Sequence, residues 1–156
     1  MNAMAEFRKA TLDDLNILVD TRIEVLRAAN QLEASVDMSL VEKESRAYYE
    51  RALTDDTHTA YLVFDGDAFI AAGGISYYSV MPTYHNPSGR KAYIMNMYVK
   101  EAYRHQGIAR HVLTLLTEDA RNRCIDHISL EATAMGRPLY EKYGFIQMEN
   151  EMVLQI

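Results

Sequence analysis

The chain has 156 residues, 49% hydrophobic and 24% charged, and its 16 basic and 22 acidic side chains leave a formal net charge of -6. That length predicts one domain, residues 4–156, with a core large enough to stabilise itself, and the hydrophobic content excludes a disordered chain. The acidic balance excludes a sequence-independent nucleic-acid binder, which needs a basic face to displace counterions.

The charge is uneven: residues 1–60 hold 12 acids against 7 bases, and residues 61–156 hold 10 against 9. The one cysteine, Cys124, excludes an intrachain disulfide and fits a reducing compartment. No apolar run approaches the roughly 20 residues needed to span a bilayer. The first ten residues, MNAMAEFRKA, lack the apolar segment of a secretory signal. A cytoplasmic protein with no membrane partner is therefore expected, and residues 1–3 are left out of the fold reading.

In chain order, residues 6–10 suit a short strand. Thr11 then caps a helix, with Asp14 three residues on, and Leu15, Leu18, Val19, Ile23 and Leu26 follow at helical spacing up to a stop at Asn30. Ser39 with Glu42 repeats the capping pattern and predicts a second helix to about residue 53. At residue 60 the period changes. Residues 60–64 and 68–80 read as two strands of a hairpin around Asp65-Gly66. Gly73-Gly74 inside the second suggests a bulge or a close backbone approach. Residues 81–91 are a loop and 92–99 (AYIMNMYV) a strand. Gly107 opens a helix whose Ile108, Val112, Leu115, Leu116 and Ala120 share one face. Residues 127–132 predict a strand, 137–143 a short helix opened by Pro138 and closed by Gly144, and 145–148 with 151–156 a final strand pair. The expected class is α/β with a sheet of mixed direction.

The most informative stretch is MYVKEAYRHQGIARHVL. A strand ending at Val99 leads through Arg104-His105-Gln106-Gly107-Ile108-Ala109 into a helix. The first N–H groups of a helix lack intrahelical partners and lie at the positive end of its dipole, so such a turn suits a diphosphate. Gly107 and Ala109 leave room for it, and Arg104, His105 and Arg110 add donors. Taken alone the pattern is that of an ordinary strand-to-helix turn; it is neither GxGxxG nor a P-loop.

YIMNMYVKEAYRHQGIARHVL resembles the acetyl-CoA-binding core of the GNAT N-acetyltransferase superfamily, and RPLYEKYGF resembles that family's later A-x-x-L-Y-E-K-x-G-F segment. The two stand in the right order, and the element order matches over nearly the whole chain. The resemblance implies a GNAT fold: a mostly antiparallel sheet with a splayed parallel strand pair and helices on both faces. It implies acetyl-CoA as co-substrate and an amine as acceptor. Backbone groups of Met97, Tyr98 and Val99 would pair with the pantetheine arm in the gap between the splayed strands, the second being 129–132. Arg104, His105, Gln106, Gly107, Ile108, Ala109 and Arg110 would hold the pyrophosphate. Tyr140 falls on the tyrosine that protonates the departing thiolate; a phenol titrating near pH ~10 can donate at neutrality.

The sequence departs from the family pattern where Thr133 replaces a common Asn and Gly136 a common Ala. The resemblance does not fix the general base. Glu131 is a candidate or a solvent-facing strand residue, and Tyr93, Asn96 and His85 could line the site. Tyr77, Tyr78, Tyr84 and His85 read either as an aromatic rim for an organic amine or as half-buried strand and loop residues. Cys124 is a poor nucleophile candidate, and no ligand cluster has metal spacing. The expected activity is N-acetylation of a primary amine by direct attack. Glu24, Glu33 and Asp37 would draw a cationic acceptor, and homodimers are common in this fold. The alternatives are a CoA-binding module without turnover and an enzyme using a bulkier acyl-CoA.

Overall fold

A computed structural model describes residues 5–156; the expected domain start at Met4 lies outside them. Strand β1 (Ala5–Lys9) is followed by helices α1 (Leu15–Ala29) and α2 (Ser39–Thr54). Strands β2 (His58–Asp65), β3 (Ala68–Ser79) and β4 (Arg90–Val99) come next, then helix α3 (Ile108–Asn122), strand β5 (Ile128–Leu130) and helix α4 (Arg137–Tyr143). The five strands form one sheet in chain order. The first four are antiparallel, and β5 runs parallel to β4.

Strand alternation separates two cores. Leu62 and Phe64 of β2 pack with Leu18 and Val19 of α1 and Tyr49 of α2. Val63, between them, packs with Ile108, Val112, Leu113 and Leu116 of α3. α1 and α2 thus cover one face and α3 the other, as a mixed sheet of this class requires. Gly73 of β3 lets α3 come close: a Cβ there would lie 2.5 Å from Val112 Cγ1 and 2.7 Å from Met97 Sδ.

Thr11 and Asp14 form the expected capping box, but on a 3-10 turn (Leu12–Asp14) that runs into α1. Ser39 is not the cap of α2. It is the first helical residue, and the Asp37 carboxylate accepts its N–H at 2.9 Å, which holds that carboxyl below its usual range. Asp37 is thereby occupied in ending a loop, and Glu24 in facing Lys100 at 3.8 Å.

The expected closing strands at 145–148 and 151–156 are absent. Their apolar residues are there, but a strand exists only by pairing, and the free edge of β5 is just three residues long. Ile146, Met152, Val153, Leu154 and Ile156 are all more than four-fifths exposed.

A polar network ties α3 to the sheet. Asp119 accepts from Tyr77 Oη at 2.5 Å, Thr59 Oγ1 at 2.9 Å and Arg123 Nε at 3.0 Å, with Lys9 Nζ at 3.6 Å. Burial pushes the Asp119 carboxyl up, but these donors outweigh burial and hold it below its ordinary value. A carboxyl depressed on folding adds stability above its unfolded pKa and loses it as pH falls through the native value. Asp119→Ala is expected to cost about 3 kcal/mol at pH 7, because Arg123 and Tyr77 lose their buried acceptor. Urea unfolding at pH 7 and pH 3 checks this: the gap between wild type and variant narrows in acid.

Candidate active site

The site is built where β4 and β5 part. The two strands pair at Ala92↔Ile128, Tyr93↔Ser129 and Ile94↔Leu130 and no further. β4 runs on to Val99 with no neighbour on that side among the described residues. Separation therefore begins after Leu130, so Ser129 and Leu130 are paired residues and not part of a splayed segment from 129. The cause lies on the other edge of β4. Its register against β3 passes from Met95↔Gly74 to Tyr98↔Ala72, so Asn96 and Met97 together face Gly73. Such a bulge bends the strand that carries it. Asn96 sits there with φ +60, in the left-handed region, and Arg22 Nη1 of α1 donates to its Oδ1 at 3.0 Å.

Past the bulge the edge of β4 is polar and open. Lys100 N–H donates to Ile70 O toward β3, so by strand alternation the N–H and C=O of Val99 point into the wedge. Arg104 Nε reaches back to donate to that carbonyl at 3.0 Å, leaving the Val99 N–H free and fixing the guanidinium at the mouth of the turn.

The turn itself holds two left-handed residues, His105 (φ +63) and Gly107 (φ +82). None of the backbone N–H groups of residues 105–110 has an acceptor among the described residues. Alternating handedness of this kind curls successive N–H groups toward one point. The space where a Gly107 Cβ would stand is empty to 4 Å. Arg110 lies over the Tyr143 ring, 5.1 Å from its centroid, which keeps its charge beside the first turn of α3. The residues present fit a diphosphate: free donors, two arginines and open space where a Gly107 Cβ would stand.

α4 brings Tyr140 to the same side. Its ring is buried in the α3 core against Phe145, and burial raises its pKa, so the phenol is protonated at neutrality. Its hydroxyl makes no hydrogen bond among the described residues and is not a buried orphan, so the tip meets solvent. Tyr143, three residues on, is committed: its hydroxyl pairs with Thr117 Oγ1 at 2.9 Å and donates to Thr114 Oγ1 at 3.2 Å. Thr133 is also committed, since Oγ1 accepts the Gly136 N–H at 3.1 Å.

Glu131 is exposed one residue past the last β4–β5 pair. It faces Tyr93, whose pKa is raised by burial and then by the Glu131 charge. The aromatic rim does not assemble. Tyr77 and Tyr78 are neighbours on one strand and point to opposite faces: Tyr77 is bound to Asp119, while Tyr78 is exposed. Tyr84 and His85 meet edge to face in the exposed loop, ring centroids 5.2 Å apart.

A family model described as the acetyltransferase (GNAT) family matches residues 24–145. The chain belongs to the GNAT acetyltransferase family. The family uses acetyl-CoA. Among solved structures, this acetyltransferase is similar to a protein from Clostridium acetobutylicum described as a predicted acetyltransferase with acetyl-CoA. The identity is 34% over 97% of this chain and 96% of the other, with a TM-score of 0.88. It is also similar to a GCN5-related N-acetyltransferase from Ralstonia eutropha, at 26% identity over 97% and 98% of the two chains and a TM-score of 0.81. A glucosamine-6-phosphate N-acetyltransferase from Arabidopsis thaliana, at 15% identity and a TM-score of 0.71, shares the fold. No curated protein matches the chain in sequence. Among the described residues no helix is long and apolar enough to cross a membrane.

The structure adds residues beyond those motifs. On the α1/α2 face a cavity of about 250 Å³ opens beside the bulge. At its floor Tyr48 Oη lies 2.9 Å from His58 Nδ1 and 2.7 Å from Ser76 Oγ. A signal for this cavity was present in the sequence. Arg22 falls at i+4 from Leu18 and i+3 from Val19, on the apolar stripe of α1, where a charge needs a reason. A larger, open hollow of about 360 Å³ lies between Lys9–Asp13 and Asp56–Thr59, away from the wedge, and holds none of the motif residues.

Burial, and then the Arg22 charge, push the His58 ring down to about 4. A histidine lowered on folding weakens stability as pH falls from its unfolded value of about 6.5 toward the native one. His58 is therefore expected to stay neutral at pH 5.5, which long-range ring nitrogen–proton NMR spectra read directly; an imidazolium signal there would contradict its burial.

Proposed function

We propose that the chain is an acetyl-CoA-dependent N-acetyltransferase that acetylates a primary amine by direct attack within a ternary complex. The observation that carries this reading is the turn at 105–110, whose six consecutive N–H groups have no acceptor among the described residues, at the start of α3 beside the open edge of β4. Bound acetyl-CoA supplies an activated acetyl thioester that an unprotonated amine attacks without an acyl-enzyme.

Arg104, His105, Gln106, Gly107, Ile108, Ala109 and Arg110 hold the pyrophosphate, chiefly through backbone N–H groups. Met97, Tyr98 and Val99 hold the pantetheine arm along the wedge, with the Val99 N–H as its free donor. Tyr140 donates its phenolic proton to the leaving sulfur, a role supported by its free, protonated hydroxyl. Glu131, exposed at the mouth of the wedge, takes the ammonium proton directly or through water. With Asp37 and Glu24 engaged by Ser39 and Lys100, Glu33 is left to lend the acceptor side a negative field that favours an ammonium. The exposed apolar segment at 146–156 supports the homodimer common in this fold.

Calorimetry with acetyl-CoA, followed by thiol release across an amine panel, tests the proposal. Binding with acceptor-dependent release is expected. Binding without release from any acceptor leaves a CoA-binding module, and preference for a larger acyl-CoA changes the donor.

A further inference from the structure

We propose that the cavity between α1, α2 and β4 is the acceptor subsite and takes an amine that carries a neighbouring carboxylate, an amino-acid-class acceptor, with Arg22 as the carboxylate's partner. This rests on the acetyltransferase reading above and names its substrate class.

Arg22 lines the cavity together with Glu44, Tyr48, Tyr49, Met95 and Asn96. It is half-buried, yet no carboxylate lies within ion-pair distance of it among the described residues. Of the other half-buried arginines, Arg8 pairs with Asp14 at 2.9 Å and Arg123 with Asp119 and Asp56, while Arg27, Arg46 and Arg104 are held by backbone or amide oxygens and line no such cavity. A guanidinium presents five N–H donors, and among the described residues the one hydrogen bond of Arg22, to Asn96 Oδ1, uses one of them. Withdrawing an arginine from water without an anion is costly; here burial lowers its pKa. A planar fork with free donors facing a cavity matches a carboxylate bidentately.

The rest of the lining makes this charge decisive. His58 is neutral, and burial pushes Tyr49 up to about 12 and raises Tyr48 too, so the inner walls carry no second charge. Glu44 is exposed at the rim. The cavity is therefore positive inside and negative at its mouth, the polarity that admits a zwitterion carboxylate first. Arg22 grips Asn96, the residue before Met97, where the open edge of β4 begins. A carboxylate held there keeps an adjacent amine next to the wedge. A cavity of about 250 Å³ suits a molecule of amino-acid size.

Amino acids and their amides, as matched pairs, are assayed by thiol release with wild type, Arg22→Gln and Arg22→Lys, with acetyl-CoA affinity and melting temperature measured for each. Acids are expected to exceed their amides roughly 100-fold in kcat/KM, the usual worth of a charge-assisted bidentate contact. Arg22→Gln erases that gap by raising KM for acids, Arg22→Lys retains part of it, and acetyl-CoA affinity stays within about twofold of wild type, because Arg22 lies off the turn. Amides equal to acids in wild type overturn the proposal. So does an equal loss for both in Arg22→Gln, which marks Arg22 as a brace for the bulge. If Arg22→Gln does not fold, Arg22→Lys and the wild-type pairs decide. If acetyl-CoA binds but no amine releases thiol, the enzyme reading fails. The cavity is then judged by the Arg22 Nε–H signal in NMR: a shift with amino acids but not amides supports the subsite, and no shift overturns it.

Discussion

Gly107→Glu is expected to abolish acetyl-CoA binding in calorimetry, a loss on the order of 100-fold or more, while the protein still folds. Two effects act together. The new carboxylate stands among the six N–H groups proposed to hold the pyrophosphate, so it would compete for the donors and repel that group. Gly107 also has φ +82, and a side chain there costs about 1 kcal/mol in backbone strain. The space for a Cβ is clear, so the fold bears that strain alone, a fall of roughly 2–4 °C in Tm for a domain of this size. Gly107→Asn separates the two, because Asn tolerates the left-handed region and brings no charge. It is expected to keep most of the binding. Unchanged affinity in Gly107→Glu would move the pyrophosphate elsewhere.

The second large effect is expected at Tyr140. Tyr140→Phe keeps the ring that packs on Phe145 and in the α3 core and removes only the hydroxyl. General-acid catalysis contributes about 10²- to 10⁴-fold, so kcat should fall at least about a hundredfold with little change in acetyl-CoA affinity or melting temperature. A more acidic thiol leaving group recovers part of the loss, since it needs less protonation. Tyr143→Phe is the contrast. Its hydroxyl is spent on Thr114 and Thr117, so that change should act on stability, by about 1 kcal/mol, and not on the proton transfer. Equal kcat in wild type and Tyr140→Phe under rate-limiting chemistry would remove Tyr140 from the mechanism.

The acidic first third takes on a more specific meaning. Asp37 caps the approach to α2 and Glu24 faces Lys100, so part of the negative excess is structural. With Arg22 half-buried in the cavity and Glu44 exposed at its rim, the proposed acceptor side favours a zwitterion over a simple cation.

Much of this was legible in the sequence because it depends on neighbours along the chain. The helix of 137–143 follows from Pro138 and Gly144, and α3 from its apolar face after Gly107. The turn at 104–110 follows from its place between a strand and a helix, since the free N–H groups of a helix start are a local property. What only the tertiary structure decided depends on which segments meet. The bulge at Asn96 needs β3 beside β4, and the wedge needs β5 to stop at Leu130. The expected closing strands do not form because apolar, β-prone residues record only a tendency, while a ladder needs a free edge. Arg22 and Asn96 are 74 residues apart in the chain. Their hydrogen bond, and the cavity beside it, exist only once α1 is laid across the sheet, because a long-range contact is written in the packing of two surfaces and in neither segment alone.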